Sequence, residues 1–320
     1  MLEPGDLLDH YRLDAVAARS GMGTLYRATD LTANRTVALK IPHPEMEADP
    51  TLLERFHREQ EIGLLLDHPG IVKAYNSEER SRLYIVLEWV DGSLLRTVLN
   101  EDRPLPIDRA IRITLGLCDA LDAMHKQGIV HRDLKPENVM ICPGDQVKII
   151  DFGIAMKEDA RRITHVDVSP MLGTPDYISP EQVQGKRGDQ RSDLYALGIL
   201  LYEMLTGQVP FSGPNPLAVM NDRLVKDPPP PRDLNPAITP ELEEVLSRAL
   251  ERDPRHRYAT AQEMQLDLEH PELLGLESKA PARRPTKSAF QRLKPQILLY
   301  ACLALIPVVL FTLMLALAKR

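Results

Sequence analysis

At Asp91-Gly92 the hydrophobic rhythm of the sequence changes, and that change restricts the fold more than any other feature. Before it, His10 to Ala17, Gly23 to Asp30 and Thr36 to Ile41 read as strands separated by turn-prone residues. Leu52 to Leu66 reads as a helix, and Ile71 to Asn76 and Leu83 to Glu88 as further strands, the second rich in β-branched and aromatic residues. After it the pattern is mostly helical. Ile107, Ile111, Thr114, Cys118, Leu121 and His125 recur at steps of four and three, predicting one face of a helix over Ile107 to Gln127. Asp108 suits its first turn and Gly128 a left-handed cap at its end. Asp193 to Leu205 and Glu241 to Leu250 are further helices, and Asp227-Pro228-Pro229-Pro230-Pro231 is expected to be a loop. There is no internal repeat. The expectation is an α+β protein of two lobes, strand-rich over about 10–90 and helical over about 91–270, hinged near Trp89 to Gly92. Ligands favour the cleft between such units.

The chain has 320 residues, 43% of them hydrophobic, enough for a large core. Three cysteines (Cys118, Cys142, Cys302) fit no disulfide framework or zinc-ligand spacing, which suits a reducing compartment. The net charge is −7. Residues 271–320 hold eight Lys/Arg and two Glu, or +6, so the first 270 residues carry −13. An acidic body argues against nucleic acid as its partner. Met1 to Asp6 has neither the basic start nor the apolar run of a signal peptide. Residues 271–295 read as a basic, proline-containing linker, and 296–318 as a transmembrane helix. Within that span Ile297 to Ala318 is uncharged and would form a helix of roughly 33 Å. Lys279, Arg283, Arg284, Lys287, Arg292 and Lys294 precede it and only Lys319 and Arg320 follow, which predicts a tail anchor with the large domain on the cytoplasmic side.

One string carries the chemistry: His131-Arg132-Asp133-Leu134-Lys135-Pro136-Glu137-Asn138, followed by Asp151-Phe152-Gly153. With Val37-Ala38-Leu39-Lys40, Ser179-Pro180-Glu181 and Asp253-Pro254-Arg255-His256-Arg257, in that order along residues 10–270, it resembles the eukaryotic-like serine/threonine protein kinases of bacteria. The resemblance implies a two-lobed protein-kinase fold, ATP and Mg²⁺ as cofactors, and transfer of phosphate to serine or threonine of protein substrates. With the predicted span, it implies a single-pass protein of the inner plasma membrane.

By that resemblance Lys40 neutralises the ATP phosphates, and Glu59 in Phe56-His57-Arg58-Glu59 pairs with it, Glu61 being the competitor for that place. Asp133 is the base that orients the acceptor hydroxyl, Lys135 approaches the γ-phosphate, and Asn138 and Asp151 hold the metal through hard oxygens. Arg132 matches a residue that grips a phosphorylated activation loop, with Thr164 and Ser169 the candidate phosphosites and Asp167 a partial charge substitute. Thr174 matches the residue that contacts base and lysine, while Glu181 would pair with Arg257 and Asp193 would hold the catalytic-loop backbone.

The nucleotide would lie against Ala17, Ala18, Arg19, Ser20, Gly21, Met22, Gly23, Thr24 and Leu25, with Ala38 covering the adenine and Met140 flooring it. Leu87 matches the gatekeeper, and Glu88 and Val90 offer hinge backbone. This loop departs from Gly-x-Gly-x-x-Gly: Ala18 and Ser20 stand where the first two glycines belong, and only Gly23 keeps its place. That departure is the sole support for a second reading, a pseudokinase scaffold without turnover. A small-molecule kinase of similar fold fits the Ser179-Pro180-Glu181 segment and Thr174 less well. His125, on an apolar helical face, reads as a packed or hydrogen-bonded core histidine rather than a ligand. A transient homodimer stays open, though the span has no Gly-x-x-x-Gly pattern.

Overall fold

Alternation along a few strands sets the small lobe. In the computed structural model, which describes residues 2–20, 23–47, 49–76, 80–152, 156–157 and 175–274, β1 (Leu7–Leu8), β2 (Tyr11–Arg19), β3 (Gly23–Asp30) and β4 (Arg35–Pro42) form a meander. After α1 (Pro44–Glu47) and α2 (Pro50–Leu65), β5 (Ala74–Tyr75) and β6 (Ile85–Glu88) complete an antiparallel sheet ordered β1-β2-β3-β4-β6-β5. Side chains alternate between its faces. Leu13, Tyr26, Val37, Leu39, Tyr84 and Val86 form one apolar cluster, whereas Ala38, Ile85 and Leu87 join the main core with α2. The register sets Leu25 opposite Lys40 and Ala38 opposite Leu87, so the residues expected around the nucleotide share the second face.

The large lobe follows: β7 (Ser93–Leu94), α3 (Leu95–Glu101), α4 (Ile107–Lys126), β8 (Ile129–Val130), β9 (Val139–Ile141), β10 (Val147–Ile149) and β11 (Met156–Lys157). Then come α5 (Pro180–Val183), α6 (Gln190–Thr206), α7 (Pro216–Val225), α8 (Pro231–Leu234), α9 (Pro240–Ala249) and α10 (Ala261–Glu269). Helix α6 is buried on every side from Ser192 to Leu205 and forms the axis of the lobe. Asp189 caps its start by accepting the Arg191 amide, and Gly207, at φ 76°, ends it in the left-handed region. Residues Met1–Gly275 make one compact unit. The predicted membrane span lies outside the described residues, among which no helix is long and apolar enough to cross a membrane.

Several expectations need correction. Of Ile71 to Asn76 only Ala74–Tyr75 is strand in the small-lobe sheet. Ile71 bridges Ile149 instead, and the Val72 amide donates to the Ile149 carbonyl, so the large lobe competes for this backbone. The buried face of α4 is wider than the predicted stripe: Thr114, Cys118 and Leu121 are buried as expected, Ala110, Ile113, Leu117, Ala120 and Met124 are buried beside them, and Ile107 and Ile111 are only half-buried. The proline run is extended up to Pro230, but Pro231 opens α8, where a missing amide costs nothing. The described start of the basic linker, Pro271–Leu273, is a single helical turn. Helices α1, α3, α5, α7, α8 and α10 are additions to the sequence reading.

Candidate active site

The lysine on β4 meets the glutamate on α2. Lys40 Nζ donates to both Glu59 oxygens at 2.6 Å. Phe56, Glu59 and Ile62 form the inward stripe of α2, Leu66 continues it just past the helix end, and Glu61 is exposed, so Glu59 takes the place for which both competed. Burial opposes the charge on Lys40, but the carboxylates of Glu59 and Asp151 outweigh it and hold the ammonium above its ordinary pKa. Burial pushes Glu59 upward, with Lys40 partly offsetting the shift. Gly63, one turn after Glu59, lets α2 approach the sheet: a Cβ there would sit 2.9 Å from the Ala74 Cβ and 3.9 Å from the Phe152 ring.

On the opposite side of the cleft Asp133 accepts from Lys135 Nζ at 2.6 Å. Asn138 donates its amide to the Asp133 carbonyl at 2.8 Å and to its carboxylate at 3.1 Å. Strands β9 and β10 pair Val139 with Ile149, and the Ile150 amide donates to the Asn138 carbonyl at 3.0 Å. This hairpin brings Asp151 beside Asn138. The side-chain oxygens of Asn138 and Asp151 are hard donors, the set a magnesium-like cation prefers.

The catalytic loop is held in an unusual shape. Arg132 has φ 67°, a left-handed value that a non-glycine residue seldom adopts. Asp193, buried on α6, accepts the amides of His131 (2.9 Å) and Arg132 (2.7 Å) and also pairs with His125 Nε2 at 2.8 Å. Gln182 donates to the Arg132 carbonyl at 3.0 Å. Burial would raise the Asp193 pKa, but these partners reverse it and keep the carboxylate ionised. His125 is thus a hydrogen-bonded core histidine. Farther along, Arg257 grips Glu181 through two bonds of 2.7 and 2.8 Å, and Ser192 donates to the same carboxylate.

At the loop between β2 and β3, Ser20 donates its amide to the Gly23 carbonyl at 2.9 Å and its hydroxyl to the same oxygen at 3.2 Å. A Cβ at Gly23 would run into the Ile41 carbonyl, which accounts for a glycine there. Ala17, Ala18, Arg19, Thr24 and Leu25 lie on the flanking strands. Leu87 ends in the buried core, and Glu88 and Val90 flank Trp89 at the hinge. Glu88 also ties that hinge to β10, accepting from Lys148 Nζ at 2.7 Å. Met140 lies on β9 in register with Lys148. Gly21, Met22, Thr164, Ser169 and Thr174 fall outside the described residues.

Lys40, Glu59, Asp133, Lys135, Asn138 and Asp151 all lie within residues 19–268, which match the protein kinase domain family. The chain belongs to the protein kinase family. Serine/threonine-protein kinase PknB of Mycolicibacterium smegmatis is 41% identical over 275 residues, 84% of this chain and 44% of the relative. PknB of Mycobacterium tuberculosis is 38% identical over a span of the same length. The chain thus spans less than half the length of these curated relatives. Among solved structures, the kinase domain of PknI from M. tuberculosis superposes with a TM-score of 0.66 at 28% identity, covering 85% of this chain and all of that one.

One part of this kinase domain escaped the sequence reading. Arg96 on α3 donates to Glu137 of the catalytic loop and Glu203 of α6, both at 2.8 Å, and also to the Tyr177 hydroxyl. Tyr177 in turn donates to Glu203. Glu137 belongs to the recognised string, but nothing in the sequence links it to a residue on α3.

Proposed function

We propose that the protein transfers the γ-phosphate of ATP to serine or threonine hydroxyls of protein substrates, with Mg²⁺ as the cation. The observation that carries this reading is the assembled cleft: Lys40 on Glu59, and Asp133 bonded to Lys135 and Asn138. Asn138 and Asp151 would hold the cation, which would offset the negative charge of the phosphates. Lys40 positions the α- and β-phosphates. Asp133 orients the acceptor hydroxyl and takes its proton late in the transfer. Lys135, already paired with Asp133, places a positive charge beside the transferred group. A scaffold without turnover is not favoured, because Lys40, Asp133, Asn138 and Asp151 are all present and the relatives are named serine/threonine-protein kinases.

The finer reading has three parts: autophosphorylation on Thr164 or Ser169, a C-terminal helix that tethers the domain to the inner plasma membrane, and transient pairing of two copies. The test uses the full chain in lipid vesicles with γ-labelled ATP. Label on phosphoserine and phosphothreonine, lost on chelation and restored by Mg²⁺, is expected. Peptide mapping should find it on Thr164 or Ser169, and the protein should float with the vesicles. Bound ATP without any transfer would overturn the reading, and protein that stays with the soluble fraction would overturn the tether.

A further inference from the structure

Arg223 is a buried charge for which the phosphoryl-transfer account has no role. It lies on the inward face of α7 with Val219 and Met220, is only 1% exposed, and is among the largest fully buried side chains. Its Nη2 donates to the Asp176 carbonyl at 2.7 Å, its guanidinium lies 5.5 Å from the centre of the Phe211 ring, and it hydrogen-bonds Tyr195 of α6. Asp176 and Tyr177 form the turn that follows Thr174. The far end of the same segment is Glu181, held by Arg257, whose guanidinium lies 4.7 Å from the centre of the Tyr195 ring, a neighbour it shares with Arg223.

We propose that Arg223 is a positioning residue for the protein acceptor: with Arg257 it fixes both ends of residues 176–181 to α6, at the register that lets a bound hydroxyl reach Asp133. The proposal rests on the kinase reading above. Three observations support the register. Asp193, two residues before Tyr195, holds the amides of His131 and Arg132, so one helix measures out both the catalytic loop and the segment beside it. Gln182, the residue that follows that segment, donates to the Arg132 carbonyl. Tyr177, next to the carbonyl that Arg223 holds, connects through Glu203 and Arg96 to Glu137 in the catalytic loop. Burial lowers the Arg223 pKa and raises that of Asp176, so this cation is retained at a desolvation cost that apolar packing would avoid.

Arg223→Met keeps a long side chain of similar reach and removes the donors, so the Asp176 carbonyl and Tyr195 lose a partner and some stability goes with it. Readouts other than stability therefore separate position from folding. The full chain in vesicles is assayed with γ-labelled ATP and a degenerate mixture of Ser/Thr peptides, and separately for ATP hydrolysis to water without peptide. The expected result for Arg223→Met is a rise of about tenfold or more in peptide KM, with the ATP KM and the hydrolysis to water within about twofold of wild type. Arg223→Lys, which keeps a donor, should recover part of the loss. Hydrogen exchange of the amides from Tyr177 to Val183 should quicken about tenfold in Arg223→Met while those of α6 hold. An unchanged peptide KM, or a loss shared equally by ATP hydrolysis and peptide transfer, would overturn the proposal. Should wild type label no acceptor at all, the kinase reading falls, and the exchange measurement still decides whether Arg223 holds the segment.

Discussion

Asp193 carries more at the scale of a single side chain than its position suggests. Its carboxylate accepts two catalytic-loop amides and a histidine nitrogen while fully buried, and it holds Arg132 at a positive φ. Asp193→Asn turns one acceptor oxygen into a donor facing donors. Hydrogen bonds to a charged group contribute about 1.5–3 kcal/mol each, so thermal unfolding should show a loss of about 2–4 kcal/mol, with a larger fall in transfer than in ATP binding. Lys40 and Glu59 behave differently. Glu59→Gln leaves Lys40 beside Asp151, a potential metal ligand, and breaking a buried pair costs about 3–5 kcal/mol. Transfer should fall about 100-fold, measured in single-turnover mixing, while the fold persists. The carboxylates differ in how readable they were. Glu59 could have been separated from Glu61 by the Phe56, Ile62 and Leu66 stripe alone, because only Glu59 falls on it. Tyr177 and Glu203 could not, since their partnership spans distant elements without a local pattern.

Between elements, the approach of α2 to the sheet decides whether the cleft assembles. Gly63→Leu puts a side chain where Ala74 and Phe152 already lie. Overpacking of this kind costs about 1–3 kcal/mol, and the least costly relief is an outward swing of α2 that draws Glu59 from Lys40. The variant should stay folded by circular dichroism and lose at least about tenfold in transfer rate. The turn-prone residues that bound them made β3 and β4 legible almost to the residue, and the three-and-four spacing did the same for the length of α4. The faces of α4 were less so, because burial there comes from both α6 and α10 and exceeds any single stripe. Helix α7 went unread although Asn215-Pro216 is a cap and a first-turn proline; the proline-rich surroundings hid that signal.

For the molecule as a whole, acid should loosen the tie between Glu181 and Arg257 in the large lobe. Burial would raise the Glu181 pKa, but the Arg257 bonds and charge and the Ser192 hydroxyl bring it below its ordinary 4.5. A carboxylate with a depressed folded-state pKa adds stability above its unfolded value, and that stability is lost as pH falls through the folded one. The melting-temperature gap between wild type and Glu181→Gln should therefore be full above about pH 5 and shrink steadily as pH drops below 4.5. A gap independent of pH would mean that the Arg257 pair does not carry it. The two-lobed plan was legible from the switch at Asp91-Gly92, while the network joining α3, α6 and α7 beneath the cleft depends on tertiary contact and had no sequence signature. Everything argued for the cleft meets at Asp133. The most direct test compares γ-phosphate transfer to a protein acceptor by wild type and Asp133→Asn at saturating ATP and Mg²⁺, with ATP affinity measured in parallel. The account predicts equal affinity and a rate lower by about 1,000-fold or more in the variant; equal rates would contradict it.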